Sequence, residues 1–118
     1  MLDRIRSHAT DRALDIGCGE GRFCRLMQSC GIKTVGIDPT EALIARARQL
    51  DPRGDYRLAT AETFEVPAGS FDLVVCYLSL IDIPNLTECF DRIVAALAAG
   101  GRLLIANLTS FNTAGMPD

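Results

Sequence analysis

The sequence is short of the residues that build metal centres and phosphate-binding surfaces. It has one histidine, His8, and its five cysteines, Cys18, Cys24, Cys30, Cys76 and Cys89, include no C-x-x-C pair. That set argues against a zinc site, and an odd number of cysteines does not make a disulfide framework in an α/β chain. The cysteines read as small buried or half-buried residues. Lys33 is the only lysine among 12 basic residues, and the arginines are dispersed among 15 acids for a formal net charge of −3. No basic footprint for a phosphate backbone exists, so no nucleic-acid partner is expected. No apolar run approaches the ~20 residues that cross a bilayer, and no signal-peptide pattern opens the chain. The expected address is therefore cytoplasmic, without a membrane partner.

What is present is 48% hydrophobic content in 118 residues, enough for one modest core and hence a single domain, 1–118. Short apolar runs alternate with helical patterns. "RALDI" (12–16) reads as the first strand, and Phe23, Leu26, Met27 and Cys30 recur at helical spacing over about Glu20 to Cys30, with Gly31 as the stop. "KTVGID" (33–38) is a second strand. Pro39 and Thr40 then open a helix with Leu43, Ala47 and Leu50 on one face, ended by Pro52 and Gly54. "DYRLAT" (55–60) is a weaker strand pattern, and "FDLVVCYL" (71–78) is a continuous apolar run of the kind covered on both faces. After Pro84 and Asn85, Leu86, Phe90, Ile93, Val94 and Leu97 form a helical stripe that Gly100–Gly101 should close, and "RLLIANL" (102–108) is the fifth strand. The alternation predicts a Rossmann-like, doubly wound α/β fold of about five mainly parallel strands, with helices on both faces and a ligand at the carboxyl ends of the strands.

The most informative stretch is "ALDIGCGEGRF", residues 13–23, where three glycines follow a strand within five residues. A glycine turn there lets the backbone approach a ligand closely. Two ligand classes use such a turn. A dinucleotide lays its pyrophosphate on the amides of a G-x-G-x-x-G loop, but Arg22 stands at the third glycine position. The pattern is D-x-G-x-G-x-G, Asp15 to Gly21, and its leading carboxylate suits a ligand carrying an ammonium or sulfonium group.

Here the chain resembles a known family. "LDIGCGEGRF" is similar to motif I of the class I S-adenosylmethionine-dependent methyltransferases, and "VGIDPT" to their second motif. "FDLVVCYLSLIDIP" and "LAAGGRLLIANL" resemble the fourth- and fifth-strand motifs of the small-molecule branch, so the likeness runs from about Arg12 to Leu108.

The resemblance implies S-adenosyl-L-methionine as cofactor and a small-molecule methyl acceptor. It implies that Asp15 orients the loop or meets the methionine ammonium, that Gly17, Cys18, Gly19 and Gly21 pass beneath the methionine and ribose, and that Asp38, followed by Pro39, accepts hydrogen bonds from both ribose hydroxyls. At the third motif the sequence departs from pattern: relatives carry an acid where this chain has Thr60-Ala61-Glu62. Ala61 can still offer its backbone amide to adenine, with Thr60 or Glu62 as alternatives for the amino group. Cys76 is implied as a wall residue near the transferring methyl, with Tyr77 facing the acceptor or packing. Arg22 and Asp82 are further candidates, for the cofactor carboxylate and the acceptor respectively. No catalytic base is assigned, because methyl transfer relies mainly on alignment and water exclusion.

The likeness also implies that the family's usual C-terminal strands are lacking, and that the sheet leaves an edge for a missing segment or a dimer partner to cover. Two other functions stand as alternatives: a non-catalytic S-adenosylmethionine-binding or interaction module, and a nicotinamide-dependent oxidoreductase domain.

Overall fold

Residues 13–16 are all buried, which requires cover on both faces of the strand they form, and β1 (Arg12–Ile16) accordingly sits in the middle of the sheet. The computed structural model describes residues 11–77 and 86–106. In chain order these are β1, α1 (Arg22–Ser29), β2 (Lys33–Asp38), α2 (Glu41–Leu50), β3 (Asp55–Leu58), β4 (Phe71–Tyr77), α3 (Leu86–Ala96) and β5 (Leu97–Ala106). The strands lie in the order β3-β2-β1-β4-β5, and every described pairing is parallel. Strand order reverses direction between β1 and β4, and open α/β sheets bind ligands at the carboxyl ends of the strands flanking such a switch.

The two faces have different cover. On one, α1 and α2 bring Cys24, Met27, Ile44 and Ala47 against Ala13, Leu73, Val75 and Tyr56. On the other, α3 contributes Cys89, Ile93 and Ala96, and the segment after β3 contributes Phe64, over Leu14, Ile16, Ile37 and Val74. The doubly wound arrangement expected from the sequence is present.

Several boundaries differ from that expectation. Strand β3 stops at Leu58 rather than residue 60, because Thr60 has left the ladder to bond with Thr63. The larger difference is at β5, which starts at Leu97 instead of residue 102. Leu97 pairs with Phe71 and Arg102 with Leu73, so the residues between Leu97 and Arg102 arch out of the ladder. The glycine pair therefore shapes a bulge within the strand rather than ending the helix. Gly100 has φ +81°, and a Cβ on Gly101 would lie 2.9 Å from the Ala98 carbonyl oxygen. Leu97 is retained in the sheet because its side chain packs on the core. Expected features at residues 78–85, Asp82 among them, and at 107–118 lie outside the described residues.

Gly36, inside β2, has a role that strand patterning does not reveal. A Cβ there would lie 2.8 Å from Cys18 Sγ and 3.0 Å from Cys24 Sγ, so the loop after β1 and the first turn of α1 can close on the sheet only over a glycine. The Gly36→Ala variant should lower stability by about 1–3 kcal/mol through overpacking. Its urea midpoint checks this, and a midpoint equal to that of the parent would contradict the account.

Candidate functional site

The glycine loop is fastened to the end of β2 before any ligand is considered. Gly17, Gly19 and Gly21 have φ of 89°, 57° and 83°, a region that side chains rarely adopt. The amides of Gly17 and Cys18 both donate to the Ile37 carbonyl oxygen, at 2.8 and 2.9 Å, and the Gly21 amide donates to the Cys18 carbonyl. The three glycines are not equivalent. A Cβ on Gly21 would strike the Tyr56 ring at 2.6 Å, which makes Gly21 a packing position beneath α1. A Cβ on Gly19 would meet nothing within 4 Å, so the open side of the loop lies there.

Asp38 closes this arrangement. Its side chain is nearly buried, with Oδ2 accepting from the Gly19 amide at 3.0 Å and Oδ1 from the Thr40 amide at 2.8 Å. Its own carbonyl accepts from the Ala59 amide. One residue thus ties together the glycine loop, the start of α2 and the exit from β3. Each carboxylate oxygen keeps a second lone pair for a ligand hydroxyl.

Beside Asp38 lies a cleft lined by Ile16, Gly17, Ile37, Pro39, Ala59 and Thr60 together with Ala61 and Glu62. The Thr60 hydroxyl lies 2.6 Å from that of Thr63, and the amides of Thr63 and Phe64 donate to the Thr60 carbonyl. This turn leaves the amides of Ala61 and Glu62 without an acceptor among the described residues. Arg92 of α3 fixes the turn from behind, its Nη1 donating to the Phe64 carbonyl at 2.8 Å.

Asp15 occupies a different environment. It is fully buried at the end of β1, where among the described residues Oδ2 accepts only a 3.4 Å contact from the Cys24 thiol and Oδ1 has no partner. Burial pushes its carboxyl up from the usual 3.8 to about 7, an effect that the thiol contact opposes and the charge of Asp38 reinforces.

The sequence-derived residues therefore divide. Gly17, Pro39, Ala61 and Glu62 line the cleft, while Asp38 and Gly19 are joined at its edge. Cys18 packs with Cys24, Ile44 and Tyr56. Cys76 does not line the cleft: its side chain lies in the core with Cys89, and burial first, then Cys89, pushes its thiol up to about 12. Tyr77 ends β4 half-buried, its hydroxyl raised by burial and by the Asp15 charge. Arg22 is exposed. Sequence reasoning missed Cys24, Thr63 and Arg92, whose roles are contacts made across the fold. Only Cys24 left a signal, a thiol on the buried face of a helix beside motif I.

Residues 14–105 match the family described as a methyltransferase domain. The chain belongs to the class I S-adenosylmethionine-dependent methyltransferases. Among curated relatives of this methyltransferase domain, it is 33% identical to a ubiquinone biosynthesis O-methyltransferase from Bradyrhizobium over 82% of the chain and 40% of the relative. It is 32% identical to a trans-aconitate 2-methyltransferase from Variovorax paradoxus over 89% of the chain and 41% of the relative. Among solved structures, an S-adenosylmethionine-dependent methyltransferase from Mesorhizobium loti aligns with a TM-score of 0.71 at 34% identity, covering 80% of the chain and 44% of that protein. The chain thus spans about 40% of the length of the curated relatives it matches. No helix among the described residues is long and apolar enough to cross a membrane.

In the methyltransferase loop the amides of Gly17, Cys18, Gly19 and Gly21 are already engaged within the protein, so these four are not free to receive a pyrophosphate. It does fit a ligand with a cationic group and a hydroxylated ring. Asp15 Oδ1 is a buried oxygen without a partner among the described residues, and Gly19 leaves open space beside Asp38.

Asp15 also gives the methyltransferase domain a pH-dependent stability. The folded chain binds this proton more tightly than the unfolded one, so the contribution is complete below about pH 4 and lost as pH rises through about 7. The urea midpoint should fall between about pH 5 and pH 8, and fall less in Asp15→Asn, which keeps the shape without the titration. An equal fall in both proteins would remove Asp15 as the cause.

Proposed function

We propose that this chain is the S-adenosylmethionine-binding core of an enzyme that methylates a small-molecule acceptor. The observation that carries the reading is Asp38: a nearly buried carboxylate, aligned by two backbone amides, standing between the cleft residues Ile37 and Pro39. Such a group accepts paired ribose hydroxyls at little cost in reorganisation. In this reading Ala61 offers its amide, and Glu62 its carboxylate, to the adenine. Gly17 and Gly19 leave room for the methionine part, and Asp15 Oδ1 receives its ammonium. When bound, S-adenosylmethionine supplies a methyl group activated by the sulfonium. The chain's own residues hold and orient it and keep water from the cleft. None of them is assigned as a base. The acceptor class follows the small-molecule names of the relatives above.

Calorimetric titration of the chain with S-adenosylhomocysteine tests the cofactor assignment. Micromolar-range binding that NAD does not displace supports it, and absence of binding by a folded chain overturns it. Asp38→Ala should weaken that binding by about 1–3 kcal/mol, or about 5- to 150-fold. Unchanged affinity in a folded variant would remove Asp38 from the site.

A further inference from the structure

We propose that Asp15 is a proton-exchanging ligand group: it holds a proton in the free chain and releases it when a ligand ammonium reaches its unpartnered oxygen. The inference rests on the functional reading above and adds to it a thermodynamic coupling between cofactor binding and pH.

The geometry makes the case. Asp15 is fully buried on β1, yet its only hydrogen-bond partner among the described residues is the weak thiol donor of Cys24 on α1. A buried carboxylate anion needs strong donors or a cation. The groups that face it supply neither. Asp38 at the end of β2 is a second carboxylate, and Cys76 and Tyr77 at the end of β4 are held neutral by burial. No arginine or lysine acts on it among the described residues. Asp38 shows what a stabilised carboxylate looks like in this fold, with a backbone amide on each oxygen. Asp15 lacks both, and Oδ1 has no partner among the described residues. Proton loss becomes favourable only when a positive group arrives, and a primary ammonium brings both the charge and the donors. The proton passes to buffer, and no covalent bond of the ligand changes.

The linkage has a fixed sign. Where free Asp15 is protonated and bound Asp15 is not, binding expels a proton, and affinity for an ammonium-bearing ligand falls as pH falls. The burial-driven upward shift of Asp15 to about 7 puts the onset near neutrality.

The experiment is calorimetric titration of the chain with S-adenosylhomocysteine in buffers of different ionisation enthalpy, from about pH 5.5 to about pH 8.5. A parallel series uses 5′-methylthioadenosine, which carries the nucleoside without the amino-acid group. The expected result is release of nearly one proton per S-adenosylhomocysteine at the acidic end, declining to near zero at the basic end. The affinity should weaken by up to about tenfold per pH unit below neutrality. Methylthioadenosine should bind without release, and Asp15→Asn should abolish release by S-adenosylhomocysteine. Binding of S-adenosylhomocysteine without proton release, equal release by both ligands, or release retained in Asp15→Asn would each overturn the role of Asp15 while leaving the cofactor site standing. Failure of both ligands to bind a folded chain would instead overturn the functional reading. The two wild-type series decide the matter even if Asp15→Asn does not fold.

Discussion

The carboxylate of Asp38 is the point on which the upper end of this sheet depends. Its two oxygens hold the amides of Gly19 and Thr40, and its carbonyl holds Ala59, so three connections that diverge in sequence are brought to one residue. A charged acceptor bonded to backbone amides is stronger than a neutral pair and changes little when a ligand hydroxyl is added. The glycine loop is shaped by this tether as much as by its glycines. Removing the side chain would release the loop and the start of α2 together.

Asp15 and Asp38 show how one end of a sheet gives two identical side chains different chemistry. Both are buried, but Asp38 is supplied with backbone donors and Asp15 faces a thiol and an apolar interior. In the proposed function the first accepts hydroxyls and the second meets a cation. Buried carboxyls raised as Asp15 is cluster at functional sites. The region matched by the family, residues 14–105, contains both aspartates and the cleft beside Asp38.

Periodicity and turn residues made the order of elements readable. β1, β2 and β4 are buried on both faces and read as apolar runs, and Gly31, Pro39 and Thr40 mark breaks that the fold respects. The start of β5 is hidden in the sequence because Gly100 and Gly101 look like a helix stop, whereas the register shift opposite Phe71 and Leu73 turns them into a bulge. The departure at Thr60 was legible as a missing acid. That Thr60 is instead engaged by Thr63, with Arg92 pinning the turn from α3, was not. Those contacts join residues whose proximity is a product of the fold.

By itself the sequence determined the class of fold, the place of the glycine turn and the two aspartates at strand ends, because each follows from local geometry: strand period, helix stops and the need for positive φ. The tertiary structure decided which of those residues border the cleft and which pack inside. Gly21 lies against Tyr56, Gly36 makes room for Cys18 and Cys24, Cys76 belongs to the core, and Asp15 is left with an oxygen that no described residue satisfies. The physical reason is that burial, hydrogen-bond satisfaction and electric field at a side chain are set by what packs against it. Those neighbours come from other strands and helices.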